Sequence, residues 1–408
     1  MSTVLVINSG SSSIKYQLVD PTSGEAVASG IVERIGDDEG SIKHTYAGRT
    51  TTQHDPVADH GAGLRAVLAL FASVGPDLAQ AHMVAVGHRV VQGGSVFDGP
   101  VVVDDDVVAQ IDALSPLAPL HNPAHVIGLR VARELFPDVP HVVVFDTAFF
   151  RTLPEAAYTY AIDAAVAREH GVRRYGFHGT SHQYVSARAA EVLGRRPQDV
   201  NQIVLHLGNG ASASAVRGGV AVETSMGLTP LEGLVMGTRS GDVDPAVLIH
   251  LQRNAGMSVD DVDDLLNRRS GLKGLSGEND FRALHELIAT GDADAALALE
   301  VYLHRLRKYI GAYYAVLGRV DAVVFTAGVG ENDATVRARA LESLETLGIA
   351  IDDDRNAVRS HEARVISPDW ATTTVMVVPT NEELAIARQA VALVGDEVDD
   401  DPAELGHA

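Results

Sequence analysis

Two arginines set among glycines are the residues of this sequence best suited to gripping an anion. Gly87-His88-Arg89-Val90-Val91-Gln92-Gly93-Gly94 puts Arg89 at a predicted strand end beside a glycine pair, and Gly237-Thr238-Arg239-Ser240-Gly241-Asp242 flanks Arg239 with small residues. A guanidinium fork matches carboxylate and phosphate oxygens. Either arginine, taken alone, fits equally well as an exposed residue near a turn. Three glycine-rich loops join them. Asn8 to Lys15 is a small polar loop leaving an apolar run. Backbone N–H groups there can converge on one anion, the serine hydroxyls are neutral donors, and Lys15 is a point charge suited to phosphate. The loop does not follow G-x-x-x-x-G-K-[ST], so it is no P-loop. His206-Leu207-Gly208-Asn209-Gly210-Ala211-Ser212 offers similar donors, and Phe325-Thr326-Ala327-Gly328-Val329-Gly330-Glu331-Asn332 lets backbone approach a ligand closely. The latter fails the full G-x-G-x-x-G pattern, which argues against a dinucleotide site.

His178-Gly179-Thr180-Ser181-His182 and the segment His121 to His125 each carry histidines four residues apart. Such a pair on one helical face can bind zinc. Here Gly179, Thr180 and Ser181 make His178 a loop residue ahead of a capped helix, so it shares no helical face with His182, and no acidic third ligand is apparent. A histidine donating to a phosphoryl oxygen fits better. Asp146, in Phe145-Asp146-Thr147, and Glu382, in Pro379-Thr380-Asn381-Glu382-Glu383, each follow a Val-rich run. Carboxylates at strand C-terminal ends face the ligand crevice of open α/β sheets, where they can position Mg²⁺ or water. Either also suits a helix cap.

The elements that must hold these groups alternate along the chain. Val4–Ile7, Val84–Val86, Val142–Phe145, Ile203–Leu207, Val323–Phe325 and Val375–Val378 read as strands covered on both faces. Leu64, Val67, Leu68 and Phe71 have helical spacing, and Asn122-Pro123 and Asp244-Pro245 read as an N-cap followed by proline in the first turn. A long helix is predicted from about Ala293 to Leu317, stopping at Gly318, and another from Glu382 to Gly395. The alternation gives an α/β fold. Leu5 to Val19 reads as a strand, a small polar loop and a returning strand; about 200 residues later Leu205 to Val222 reads the same way, with a Gly218-Gly219 turn. The repeat fits either a duplicated domain or two unrelated hairpins. Asp260 to Asp264 reads as a solvated helix face, and the acidic stretch from Gly395 as a solvated end.

The chain of 408 residues suggests two or three domains at roughly 150 residues each, and its 46% hydrophobic content supports sizeable cores. Fifty-four acidic against thirty-two basic residues give −22, a surface that repels nucleic acid and anionic membranes. An anionic substrate must therefore be met by locally concentrated cations and N–H donors. With no cysteine, disulfides, thiolate nucleophiles and cysteine zinc sites are excluded. The first apolar run, Val4–Ile7, is too short for a signal-peptide core, and no segment nears the ~18 apolar residues of a membrane span. A cytoplasmic protein without nucleic-acid or membrane partners is expected.

Taken together, these segments resemble the acetate kinase family over nearly the whole chain, to about Val394. The resemblance is carried in order by Asn8-x-Gly10-Ser11-Ser12-Ser13-x-Lys15, Gly87-His88-Arg89-Val90-Val91, Phe145-Asp146-Thr147-Ala148-Phe149, Arg174-Tyr175-Gly176-Phe177-His178-Gly179-Thr180-Ser181-His182, His206-x-Gly208-Asn209-Gly210, Met236-Gly237-Thr238-Arg239-Ser240-Gly241-Asp242, Thr326-Ala327-Gly328-x-Gly330-Glu331-Asn332 and Pro379-Thr380-Asn381-Glu382-Glu383-Leu384. It implies the superfold of sugar kinases, heat-shock ATPases and actin: α/β, with two duplicated ribonuclease H-like domains around a nucleotide cleft. Residues 1–150 with 383–408 would form the N-terminal domain, the last helix packed back onto it, and 151–382 the C-terminal nucleotide-binding domain. It further implies a homodimer and reversible, Mg²⁺-dependent phosphoryl transfer from ATP to acetate, giving acetyl phosphate and ADP, with Mn²⁺ as a substitute ion.

By the same resemblance Asn8 and Glu382 hold Mg²⁺. Lys15, His206, Leu207, Gly208, Asn209, Gly210, Asp280, Phe281, Arg282, Gly328, Val329, Gly330, Glu331 and Asn332 hold the nucleotide. Arg89 binds the carboxylate or acyl phosphate, and His178 and Arg239 stabilise the transferring phosphoryl group. Val91, Leu120, Phe177 and Pro230 line the pocket for the methyl group. Asp146 is treated by the family as essential and sometimes as a proton acceptor. A carboxylate acceptor is already ionised at pH 7, so no base is needed to make the nucleophile. Asp146 is therefore expected to orient Mg²⁺ waters or a catalytic arginine. Two positions depart from the family pattern: Gln92 and Phe150 stand where the family often has histidine. The rival readings are a propionate or butyrate kinase, a phosphohydrolase on the same superfold, and a non-catalytic ATP-binding protein.

Overall fold

The computed structural model describes residues 2–10, 12–78 and 80–399, with side chains to residue 395. Ser11 of the first loop, and the part of the acidic tail and of the proposed N-terminal domain beyond residue 399, lie outside the described residues. The chain divides into two compact units, one comprising residues up to Ala148 together with the segment from Asn381, the other Phe149–Thr380.

In the first unit the strands are β1 (Thr3–Ser9), β2 (Ser13–Val19), β3 (Ala26–Glu33), β4 (Ser41–Tyr46), β5 (Arg49–Gln53), β6 (Met83–Val90), β7 (Val101–Val102) and β8 (His141–Phe145). They form one sheet in the order β5-β4-β3-β2-β1-β6-β8-β7. β1, β6 and β8 run parallel, and every other pairing is antiparallel. In the second unit β9 (Asn201–Leu207), β10 (Ala211–Arg217), β11 (Val220–Thr224), β12 (Ala322–Thr326), β13 (Arg364–Val365) and β14 (Thr374–Val377) take the order β11-β10-β9-β12-β14-β13. Here β9, β12 and β14 are the parallel trio. With β4 and β5 set aside, β3-β2-β1-β6-β8-β7 and β11-β10-β9-β12-β14-β13 agree in spatial order, direction and order along the chain. That agreement decides between the two readings of the repeated hairpin: the domain is duplicated.

The first core is built by the helix His60–Val74, which lays Leu64, Val67, Leu70 and Phe71 on Leu5, Ile7, Ile14, Leu18 and Val32. Each fully buried side chain of this kind contributes about 1.5–3 kcal/mol. The last helix, Glu382–Asp399, packs on β1 and β6. Gly87 makes room for it, since a Cβ there would stand 2.7 Å from Ile386 Cγ2. In the second unit the helix Gly179–Val192 packs Val185 and Ala189 on Val204 and Val216. The Gly218-Gly219 turn joins β10 to β11 with both φ angles positive, a conformation that glycine adopts without strain.

Several boundaries differ from expectation. Asp244 caps its helix as expected, and the long helix is Ala293–Leu317 with Gly318 beyond it. His121, not Asn122, is the N-cap of Asn122–Leu135; the Asn122 side chain instead accepts from Gln92 N and donates to Gln92 O. Gly395 does not end the last helix.

Candidate active site

The C-terminal ends of the three parallel strands carry the candidate groups in each unit. In the first, Arg89 stands at the end of β6 and Asp146 follows β8, whose backbone N–H donates to Val90 O. Neighbouring parallel strands thus bring the two side chains together. Arg89 Nε and Nη2 donate to the two Asp146 oxygens at 2.8 and 2.7 Å, a bidentate fork, and Glu382 Oε2, in the first turn of the last helix, lies 3.6 Å from Arg89 Nε. Burial opposes the arginine's charge, but Asp146 and Glu382 outweigh it and its pKa is raised. Burial also raises the pKa of Glu382; Arg89 pulls it back, while Asp146 adds to the rise. Nη1 of Arg89 makes no hydrogen bond among the described residues. Asp146 is not a helix cap.

The loop after β1 is a hairpin turn pairing Asn8 with Lys15 across the ladder. Gly10 N–H donates to Ser13 O, so this glycine's N–H is taken up by the turn rather than offered to an anion. The Gly10 carbonyl lies 2.7 Å from His60 Nε2. Lys15 is exposed and Asn8 half-buried. Burial and then Arg89 push His125 down to about 3, so it is a neutral core histidine. Val91 is buried just beyond Arg89, whereas Leu120 is exposed. Gln92 is fully buried; its side-chain oxygen accepts from Gly94 N and holds the glycine pair in place.

In the second unit His178 is the N-cap of Gly179–Val192, in the left-handed region at φ 59°, as the reading of it as a loop residue requires. It stacks on His206, at the end of β9, with ring centroids 4.2 Å apart, and its Nδ1 lies 2.8 Å from Ser212 Oγ. His206 Nδ1 is 2.8 Å from Ser181 Oγ, which is 2.9 Å from Thr380 Oγ1 in the loop after β14. Arg239 sits in a loop tied down on two sides: Gly237 N donates to Asn209 O, while Ser270, Leu272 and Lys273 donate to Thr238, Met236 and Gly237 carbonyls. A Cβ at Gly237 would fall 2.0 Å from Asn209 Oδ1 and 3.3 Å from Asn209 O, so a side chain there would displace the Asn209 amide. Arg239 Nη1 donates to Pro230 O, and the side chain has no carboxylate partner among the described residues; burial lowers its pKa. A Cβ at Gly210 would lie 3.5 Å from His178 Nε2 and 3.6 Å from Arg239 Nη1, so both groups converge on the space over that glycine. A half-buried cation without a carboxylate partner among the described residues, beside a histidine and a loop with glycines at 208 and 210, has the character of a group that can receive an anion.

Other expected nucleotide residues divide by environment. Gly328, in the helix Ala327–Asn332, has open space where a Cβ would be. Glu331 points back, accepting from Ala327 N at 2.9 Å and Thr380 N at 3.1 Å, so it ties the ends of β12 and β14 rather than reaching outward. The buried Arg337, which sequence reasoning missed, donates to Gly330 O, Glu331 O, Asn356 Oδ1 and Asn356 O at 2.7–3.0 Å and anchors the same turn. Asp280 caps Phe281–Ala289 and pairs with the exposed Arg282, while Phe281 is buried against Tyr302. Phe177 and Phe150 are wholly buried; Phe150 packs edge-on against His182. Ser212, read from sequence as part of the glycine loop, and Ser214, not singled out there, both lie buried on β10. The alternation Ala211-Ser212-Ala213-Ser214-Ala215 was their signal: a strand with one polar buried face.

Among the described residues no three His, Asp or Glu side chains cluster to hold a metal by themselves. The Glu382 carboxylate and the Asn8 amide are oxygen donors, the type Mg²⁺ prefers when waters and substrate phosphates complete its shell.

The family model described as the acetokinase family matches residues 3–388. An acetate kinase from Leifsonia xyli is 60% identical over 97% of this chain and 99% of its own, and one from Streptomyces avermitilis 61% over 96% and 97%. Among solved structures, a Porphyromonas gingivalis acetate kinase superposes with TM-score 0.92 at 42% identity, covering 97% of this chain and 100% of that one. A Francisella tularensis propionate kinase gives 0.90 at 40% identity, covering 96% and 100%.

Proposed function

The chain belongs to the acetokinase family, and on that premise we propose how its residues carry out the reaction. The reaction is that of an acetate kinase: ATP gives up its γ-phosphoryl group to the acetate carboxylate, and acetyl phosphate and ADP result. The fold is accordingly the sugar kinase/actin-like one.

Phosphoryl transfer asks for in-line positioning and charge neutralisation more than for covalent chemistry. Arg89 is the acceptor-binding residue, offering Nη1 to an acetate oxygen while Asp146 fixes its fork. Asp146 acts through Arg89 and takes no proton. Val91, Leu120, Phe177 and Pro230 are assigned to the acceptor's methyl group on the strength of the family. His178 and Arg239 grip the transferring phosphoryl group. Lys15, residues 206–210, 280–282 and 328–332 are assigned to the nucleotide; the structure supports Gly208, Gly210 and Gly328 as close-approach positions and Glu331 as a strut. Glu382 and Asn8 would hold Mg²⁺, or Mn²⁺ in its place, and the ion when bound neutralises charge on the β- and γ-phosphate oxygens. Apart from Lys15, the residues assigned to the nucleotide belong to the second unit, while Arg89, Asn8 and Glu382 belong to the first. A homodimer and a cytoplasmic location rest on the same family. The helix Pro245–Ala255 buries none of its residues and exposes Val247 and Ile249, a surface that a second copy would cover. No helix among the described residues is long and apolar enough to cross a membrane.

The observation that carries the residue assignment is the contrast between the two half-buried arginines, one locked by carboxylates, the other without one among the described residues. Hydroxylamine trapping of acyl phosphate, run with Mg·ATP and acetate, propionate or butyrate in parallel, tests the function. Hydroxamate should form with the highest kcat/KM for acetate. A methylene changes such discrimination by only ~1–3 kcal/mol, so a longer acid winning would move the substrate and keep the mechanism. ADP without hydroxamate would point to a hydrolase, and no turnover to a binding protein.

A further inference from the structure

His182 is a buried histidine for which the reaction has no direct use. It lies wholly inside the second unit, where burial and then His206 hold its pKa well below the ordinary value, so the ring is neutral. A neutral imidazole has one donor and one acceptor nitrogen. Both are engaged: Nδ1 lies 2.7 Å from Ser214 Oγ, and Nε2 lies 2.8 Å from Ser212 Oγ. Ser212 Oγ is in turn 2.8 Å from His178 Nδ1. Ser214, His182, Ser212 and His178 therefore form one hydrogen-bonded chain, both serines projecting from the same face of β10.

Hydrogens can run along this chain in two senses. Ser214 Oγ makes only this one hydrogen bond among the described residues, and the hydroxyl opposite it on β11, Thr224 Oγ1, is buried and makes none. In the first sense the Ser214 hydroxyl donates to His182 Nδ1, His182 Nε2–H donates to Ser212, and the Ser212 hydroxyl donates to His178 Nδ1. Each of the three hydrogens within the chain then has an acceptor, and His178 carries its own on Nε2. In the opposite sense His178 Nδ1–H donates to Ser212, Ser212 to His182 Nε2, and His182 Nδ1–H to Ser214. The Ser214 hydrogen is then left buried without an acceptor, which is penalised. An imidazolium at His178 has Nδ1–H and forces that second sense. The Nε2 edge of His178 faces the space over Gly210, and Arg239 Nη1 beside it disfavours a second positive charge there.

We propose that Ser214, His182 and Ser212 are positioning residues that hold His178 as the neutral Nε2–H tautomer, so that it meets the transferring phosphoryl group as a hydrogen-bond donor and not as an acid. The proposal rests on the assignment of His178 to the phosphoryl group.

It is tested by nitrogen-15 spectra of histidine-labelled protein at pH 7.5, with signals assigned by their loss in His178→Gln and His182→Gln. Both rings should show hydrogen on Nε2 and a bare Nδ1. A hydrogen on Nδ1 of either ring, or an imidazolium at His178, would overturn the proposal. Ser214→Ala removes the hydroxyl that sets the sense of the chain. It should replace the single His178 signature by a mixed or protonated one. It should also lower kcat about tenfold, the worth of one impaired hydrogen bond to a charged group. KM for ATP and acetate should stay within about twofold, because the loss falls in the transition state. Ser214→Thr, which keeps the hydroxyl, should restore both. A Ser214→Ala protein with an unchanged His178 signature would overturn the relay, whatever its kcat. The expected spectra together with full activity in His178→Gln would keep the relay and sink the assignment of His178 to the phosphoryl group.

Discussion

At the scale of single residues the account turns on Asp146. Its two oxygens are taken by Arg89, and an ionised acetate has no proton to give, so a base is superfluous. Asp146→Asn keeps the shape, removes the charge and one acceptor, and should lower kcat/KM for acetate about a hundredfold through misplacement of Arg89. Steady-state kinetics beside an unchanged circular dichroism spectrum would show it; a rate near that of the unmutated enzyme would rule the orienting role out. Arg89, Asp146 and Glu382 were legible in the sequence because an arginine or carboxylate just past a Val-rich strand has few places to point other than the crevice edge. The hydrogen-bonded serines of β10 were not, since Ser212 reads as one more small residue of a glycine loop until its strand register is known. Phe281 shows the opposite failure: a residue beside charged Asp280 and Arg282 turns inward because its ring finds Tyr302 at 5.1 Å.

At the scale of elements, the turn after β12 is held from inside. Arg337 gives four hydrogen bonds to Gly330, Glu331 and Asn356, and burial lowers its pKa to about 10, still far above neutral. Arg337→Met should cost about 3 kcal/mol, since it leaves buried carbonyls unpaired, and should raise KM for ATP by loosening Gly328. Urea melts and nucleotide titration measure the two effects, and a melt unchanged by the substitution would contradict this role. The parallel strands and the long helix were legible because each carries a continuous apolar run or an uninterrupted helical period. β3, β4 and β5 were not. They extend an antiparallel sheet with residues such as Arg49-Thr50-Thr51-Thr52-Gln53, whose strand character comes from pairing with β4 and leaves no apolar signature.

At the scale of the whole molecule, both units bury neutral histidines: His88 and His125 in the first, His182 in the second. Burial depresses all three, with neighbouring cationic or histidine groups adding to it. A histidine whose folded pKa is lowered contributes stability that is full above its unfolded value and lost as pH falls below it. Each should therefore cost about 1.4 kcal/mol per pH unit below about 6.5. Glu382 and Glu223, raised by burial, act in the opposite sense, their contribution being lost as pH rises through their folded values. Denaturant midpoints should begin to fall below about pH 6.5, ahead of the carboxylate range; a flat profile down to pH 5 would contradict it. The duplication, by contrast, was half-visible in sequence as two hairpins, and the matching strand orders made it plain because topology outlasts side-chain identity. The central claim is a single direct transfer, with arginines, a histidine and fixed loops in place of a covalent intermediate. The stereochemical course at phosphorus tests this most directly. With ATP made chiral at the γ-phosphorus by oxygen isotopes, one in-line displacement predicts inversion in acetyl phosphate. Retention would mean two displacements through a phosphorylated enzyme and would contradict the account.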